Sequence, residues 1–178
     1  MISVKYFKAL LLTLALLTGI ITLPAKAEEP IKDSRALIGE LVPVTGDRAQ
    51  VDLRITFALN SARLTPNAML QLDELGKALK SSTLENLDIA IYGHTDASGR
   101  APMNMALSKA RARSAYDYLI GNFSLAGRKI IHDGFGETAP INPINSYAAE
   151  NRRVEIITSK PILTVPSLPI NGATQVIN

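Results

Sequence analysis

The chain has 178 residues, 47% of them hydrophobic, which suffices for one ordinary domain with a real core plus extensions. Its 19 Lys and Arg against 16 Asp and Glu leave a formal charge of +3, too slight a basic excess to support a nucleic-acid surface. It has no cysteine, which excludes disulfides, thiolate metal ligands, a cysteine nucleophile and a lipid-modified cysteine tether.

The chain begins MISVKYFKALLLTLALLTGIITLPAKAEE. Lys5 and Lys8 form a basic start, and Ala9 to Leu23 is an uncharged, mostly apolar run. Ala25-Lys26-Ala27 then places small residues where a signal peptidase reads them. Residues 1–27 are expected to be a cleaved secretory signal. The alternative is an uncleaved N-terminal anchor in the inner membrane, but the run is short against the about 20 apolar residues of a spanning helix. Lys5, Lys8 and Lys26 fall in this segment, so the remainder carries 16 basic and 16 acidic residues. The basic excess therefore belongs to the targeting segment. Export without disulfides suits a bacterial periplasm.

Residues 28–50 read as a lead-in with a short helical turn around Ser34 to Leu41. Val51, Leu53, Ile55 and Phe57 alternate with Asp52, Arg54 and Thr56, the period of a half-buried strand. Thr65-Pro66 predicts a helix start, with Thr as N-cap and Pro at the first helical position. Met69, Leu72, Leu75 and Leu79 give that helix its apolar stripe, ending near Lys80. Leu87 to Tyr92 alternates again and predicts a second strand. A helix is expected from about Pro102 to Ile120, a third strand over Lys129 to His132, and a fourth over Arg153 to Thr158. The economical arrangement is α+β, with two helices packed on one face of a small mixed sheet. Residues 159–178 carry no charge after Lys160 and hold prolines at 161, 166 and 169, so they are not a central strand. They read as an extension, or as a segment that docks on a partner or on the sheet edge.

The segment GHTDASGRAPMNMALSKAR, residues 93–111, joins the second strand to its helix. On a helical wheel Leu107, Ala110, Ser114 and Tyr118 form the inward stripe, and Lys109 and Arg113 point away. Asn104 and Arg111 fall on one edge of that stripe. A charge there calls for a partner, and Asp96, in the loop ahead of the helix, is the candidate. Either Asp96 and Arg111 bridge each other, or together they hold a dipolar guest. In the second case the carboxylate would take an ammonium, and the guanidinium would take a carboxylate through two parallel bonds.

Five blocks, ITFALNSARLTP, GHTDASG, NMALSKARA, GFGETAPI and NRRVEI, occur in this order between about Val51 and Thr158. In these blocks the chain resembles the OmpA-like peptidoglycan-binding domain family, the module of outer-membrane protein A, peptidoglycan-associated lipoproteins and flagellar stator proteins. The resemblance implies a β/α/β/α/β-β sandwich over 51–158. It also implies noncovalent binding of the diaminopimelate of peptidoglycan stem peptides, with no cofactor and no metal. The family's key Asp and Arg fall on Asp96 and Arg111, its assisting Asn on Asn104, and the first Arg of NRR on Arg152. Ala97 and Ser98 match the loop whose backbone frames the ligand. The resemblance places the protein in the cell envelope, with association with the outer membrane as one form. Other envelope proteins and a second copy of the chain, as a homodimer, are compatible partners. The stretch PINPINSYAAE before NRRVEI departs from the family. It is about two residues shorter and lacks Gly-Arg, and Asn142, Asn145 and Asn151 are candidates for replacement hydrogen bonds.

Three other functions compete with this one. His94, Asp96 and Ser108 do not make a convincing hydrolase triad, and no GxSxG elbow is present, so the chain is not expected to be an enzyme. His94 is expected to bond the loop near the strand end. With only His94 and His132, a metal site lacks its ligand set. The remaining alternative is a structural or partner-binding envelope protein with a weakened or lost peptidoglycan pocket.

Overall fold

A computed structural model describes residues 30–161 except Leu59 and Ala126. The expected signal segment lies outside the described residues, as does the expected tail beyond Pro161. In chain order the elements are α1 (Ser34–Leu41), β1 (Arg48–Leu53), α2 (Pro66–Leu79), β2 (Asp88–His94), α3 (Ala101–Asn122), β3 (Ile130–Gly136) and β4 (Val154–Ser159). A single 3-10 turn, Ala149–Asn151, precedes β4.

The four strands form one mixed sheet in the order β1-β4-β2-β3. β4 runs antiparallel to both β1 and β2, while β2 and β3 are parallel and joined through α3. The α+β expectation holds, with one addition: three helices rather than two contribute to the core. Val51 and Leu53 from β1, Ile89 and Ile91 from β2, and Val154 and Ile156 from β4 pack with Leu72, Leu75 and Leu79 of α2 and Leu119 of α3.

The third helix is α1, in the stretch that reads as a lead-in. Asp33 caps it by accepting from the Ala36 amide at 2.8 Å. Leu37 and Leu41 are fully buried. Polar bonds fix its start to α2: the Lys32 amide donates to Gln71 Oε1, Gln71 Nε2 donates to Lys32 O, and the Ser34 amide donates to Glu74. Thr158 Oγ1 of β4 donates to Leu41 O.

β1 begins three residues earlier than its alternation suggests and stops at Leu53. The Ile55 amide turns back onto Leu53 O at 2.9 Å, which takes the chain off the sheet. Phe57 then bridges Leu64, and this small hairpin delivers the chain to α2. Thr65 Oγ1 accepts from the Ala68 amide, with Pro66 in the first turn, as the sequence predicts. Within α2, Leu72, Leu75 and Leu79 face the core. Met69 is 39% exposed, and Ala68, Gln71, Gly76 and Ala78 take the remaining buried positions. Arg128 stitches the end of α2 to the following turn, donating to the carbonyls of Leu79, Leu84 and Leu87.

The face of α3 differs from the wheel reading. The buried residues are Asn104, Ser108, Ala112, Ala115 and Leu119, about one residue, or 100°, round from the expected stripe. The cause lies in the sheet. A Cβ on Gly93 would stand 2.1 Å from Ser108 O, and one on Gly134 would stand 2.3 Å from Ser108 Oγ. Around Ser108 the α3 backbone approaches β2 and β3 so closely that only small side chains fit between, and Leu119 reaches the core only further along the helix. Larger ones, such as Leu107 and Tyr118, are turned to the flanks.

Candidate ligand-binding site

The site gathers where β2 ends, where α3 begins and where the chain enters β4. Asp96 lies two residues past β2 and is 5% exposed. Its Oδ1 accepts from the Ser98 amide at 3.0 Å and from the Ser98 hydroxyl. Its Oδ2 is ion-paired with Arg152 at 2.5 Å. Burial by itself raises the Asp96 pKa, but the bonds from Ser98 and Arg152 outweigh it and hold the carboxyl below the ordinary value. The group is therefore a buried, ionised carboxylate at neutral pH.

Arg111 sits one face over on α3, half-buried. Its Nε donates to Ser61 O at 3.1 Å, and its guanidinium lies 5.0 Å from the centre of the Phe57 ring. Burial lowers its pKa, the Arg152 charge lowers it further, and Asp96 pulls the other way. The guanidinium stays charged regardless. Among the described residues only its Nε is engaged in a hydrogen bond to protein. The ionic partner of Asp96 is Arg152 rather than Arg111, so Asp96 and Arg111 do not bridge each other.

Asn104, 5% exposed, donates through Nδ2 to Asp96 O at 3.3 Å and to Glu137 Oε2. It braces the Asp96 loop from behind. The Ala97 amide donates to Ser146 O at 3.0 Å and the Ser98 amide to Asp96 itself. Both loop amides are thus engaged internally, and the Ser98 hydroxyl gives its proton to Asp96, leaving the loop carbonyls and the acceptor side of that hydroxyl as what this segment can turn toward a guest.

The unusual stretch before β4 is organised by Asn151, which is fully buried. Its Oδ1 accepts from the Asn142 amide at 2.9 Å, and its Nδ2 is shared among the carbonyls of Asn142, Asn145 and Ser146. Asn142 and Asn145 in turn bond neighbouring backbone amides. These asparagines, candidates for ligand hydrogen bonds on sequence grounds, instead hold the loop in shape. Ser146 O clips that loop to Ala97. Replacing Asn151 with Ala strands three carbonyls and one amide, so Asn151→Ala is expected to cost about 3 kcal/mol in urea unfolding.

Sequence reasoning did not single out Glu137, Phe57 or Ser61. All three lie inside quoted blocks; Phe57 stands out only as part of the strand alternation, and nothing in their spacing marks any of them as a neighbour of the site.

The residues considered for catalysis are engaged separately. His94 Nε2 bonds Glu155 on β4 at 2.9 Å, and its Nδ1 has no partner among the described residues. His94 thus ties β2 to β4 rather than bonding the loop. Burial, and then the Arg153 charge, lower its pKa against the opposing pull of Glu155. Ser108 Oγ donates to Met105 O and accepts from the Gly136 amide, both at 2.8 Å. No serine-to-histidine bond links them. Among the described residues no group of three or more His, Asp or Glu could hold a metal, and no helix is long and apolar enough to cross a membrane.

Comparison with known proteins follows the same outline. Residues 56–154 match the model of the OmpA family. The chain is 34% identical over 112 residues to the uncharacterized protein YtxE of Bacillus subtilis, covering 60% of this chain and 45% of that one. It is 34% identical over 110 residues to the peptidoglycan-binding protein ArfA of Mycobacterium bovis, covering 59% and 32%. Among solved structures, the cell wall anchor of the T6SS from Pseudomonas aeruginosa superposes with a TM-score of 0.57 at 28% identity, covering 75% of this chain and 100% of that one. The OmpA-like domain of FopA1 from Francisella tularensis gives 0.52 at 26% identity, covering 66% and 77%. The chain spans less than half the length of these curated relatives. With the family match extending over more than half of its residues, the chain belongs to the OmpA family.

Proposed function

We propose that the protein binds peptidoglycan noncovalently through the diaminopimelate of the stem peptide, and so ties an envelope component to the cell wall from the periplasmic side. The observation that carries this reading is the combination of a buried, ionised Asp96 with a half-buried Arg111 whose guanidinium, among the described residues, bonds protein through Nε alone. One accepts an ammonium and the other grips a carboxylate, the two groups of an amino-acid centre. Asn104 holds the Asp96 loop in place. Arg152, whose side chain is 48% exposed, is free to swing from Asp96 toward the guest's carboxylate as the ammonium arrives. Ala97 and Ser98 frame the guest through carbonyls and the Ser98 hydroxyl. No bond is made or broken.

The names of the relatives support the same reading, one a peptidoglycan-binding protein and one a cell wall anchor. The relatives called outer membrane proteins support an envelope location. Export through residues 1–27, followed by association with the outer membrane, is the route proposed here on sequence grounds, with N-terminal anchoring in the inner membrane as its alternative.

Sedimentation with purified sacculi tests it. The protein is expected to pellet with sacculi whose stems carry diaminopimelate and to remain in solution with sacculi carrying lysine at that position. If it stays in solution with both, wall binding is wrong. If it pellets equally with both, the wall reading stands and the diaminopimelate assignment falls.

A further inference from the structure

We infer that residues 162–178 lie back across the outer face of their own sheet, the face left bare by the three helices. This does not depend on what the Asp96 site binds.

Strand alternation defines that face. Val154, Ile156 and Thr158 of β4 point toward the helices, so Glu155 and Ile157 point away. By the same rule Ala90 and Tyr92 of β2 point outward, as do Ile131 and Phe135 of β3. Tyr92, Ile131, Phe135 and Ile157 make an apolar strip, with the Tyr92 and Phe135 ring centres 4.9 Å apart. Ile131 is 50% exposed and Phe135 39%. The charges at the two ends of the strip are paired off: Arg153 with Asp52 at 2.6 Å and His94 with Glu155 at 2.9 Å at one end, Lys129 with Asp88 at 2.7 Å at the other. Asp133, between Ile131 and Phe135, reaches Lys109 of α3 at 3.0 Å. Arg48 stands on the β1 rim. An occupant of the strip therefore needs apolar side chains and no charge.

Two grooves, of about 790 and about 350 Å³, follow the strip and share Tyr92 and Ile157. Ser159 and Lys160 line the smaller one, and the Lys160 amide is held to Asp47 O at 2.9 Å. The chain thus leaves β4 at the end of the groove. Residues 162–178 lie outside the described residues, and their sequence suits the surface. They carry no charged side chain, and Ile162, Leu163, Val165, Leu168 and Ile170 fall close together. Pro161, Pro166 and Pro169 keep the segment from pairing as a strand. Lying on a face needs no ladder bonds, and the prolines lower the entropy lost on ordering. At about 3.3 Å per residue this length of chain can span about 55 Å. The sheet is four strands wide, about 15 Å at the usual strand spacing. The tether also supplies an effective concentration on the order of millimolar, which neither a second copy nor another protein enjoys.

Because the chain has no cysteine, Ser167→Cys gives one attachment point for a nitroxide spin label, read by NMR in the full chain. The amides of Ala90, Tyr92, Ile131 and Ile157 are expected to lose most of their intensity. Those of Leu70 and Lys77, on the solvent side of α2, should keep theirs. Ile131→Asp on the face, or Leu163→Asp in the tail, is expected to restore the lost signal. Slight, uniform losses overturn the inference, as do losses centred on α2. So do losses at the outer face that persist in both aspartate variants. Spin-labelled protein mixed with isotope-enriched, unlabelled protein separates the occupants. Loss at the same amides in that mixture places the tail on a second copy and overturns docking on its own sheet.

Discussion

Asp96→Ala and Arg111→Ala are each expected to weaken sacculus binding about 30-fold or more, the equivalent of at least 2 kcal/mol for one partner of a buried charge-assisted contact. The two losses have different structural origins, and the controls differ accordingly. Removing the Asp96 side chain leaves Arg152, 48% exposed and readily hydrated, at little cost, but it also strips the Ser98 amide and hydroxyl of their acceptor, so Asp96→Ala should lose some stability. Asp96→Asn keeps the shape and the Ser98 contacts but not the charge. It should bind as poorly as Asp96→Ala while melting close to wild type. Arg111 also packs on Phe57 and ties α3 to Ser61 O, so Arg111→Ala should lower stability as well as binding. Arg111→Lys separates the two effects: the charge remains, the two-pronged grip does not, and most of the binding should be lost. Wild-type binding to sacculi in either Asp96 variant would remove the carboxylate from the site.

The pH dependence follows from the same residue. The folded-state pKa of Asp96 is lowered by Ser98 and Arg152 against the opposing effect of burial. A lowered carboxyl contributes stability above its unfolded pKa and loses it as pH falls through the folded value. Binding that depends on this charge should therefore be level from pH 7 to about pH 5, a range in which an ordinary carboxyl is already ionised. A steep loss of binding between those values would implicate a different group.

Much of this fold is written locally. The Thr65 cap with Pro66 and the alternating strands need only neighbours, and each formed within a few residues of its expected place. The candidate site residues were legible for a second reason: they sit in contiguous blocks whose order is that of the family. What escaped depends on distance along the chain. Asp96 finds its cation 56 residues away on Arg152 rather than on Arg111. Asn151 organises the loop before β4 through four bonds that no spacing rule foretells. The short helical turn expected around Ser34 to Leu41 forms as α1, but its share in the core escaped, because eight residues offer the core little more than Leu37, Ile38 and Leu41. The face of α3 was misread because that helix has almost no hydrophobic asymmetry. Its inward side is set by small size rather than by apolar character, and size becomes informative only once the opposing glycines are known.

Those glycines make the last prediction. Gly93→Ala adds one carbon, yet that carbon would fall 2.1 Å from Ser108 O and 2.9 Å from Ser108 C, both backbone atoms of α3. No side-chain rotation can relieve such a contact, so the helix must move away from β2. Displacing a packed helix opens the layer holding Ala112, Ala115 and Leu119, all fully buried. A cost of about 3 kcal/mol is expected, or roughly 10 °C in melting temperature for a domain of this size. Gly39→Ala is the matched control. It lies in α1 with nothing within 4 Å of the added carbon, and it replaces a poor helix former. That change should leave stability equal or raise it by about 0.5–1 kcal/mol. The Gly93 variant should also bind sacculi more weakly than its residual folded fraction explains, because α3 carries Asn104 and Arg111 while Asp96 follows β2. Moving the helix off the strand pulls the two halves of the site apart. Equal melting temperatures for Gly93→Ala and wild type would show that the helix does not lie against the strand as described, and the geometry of the site would need redrawing with it.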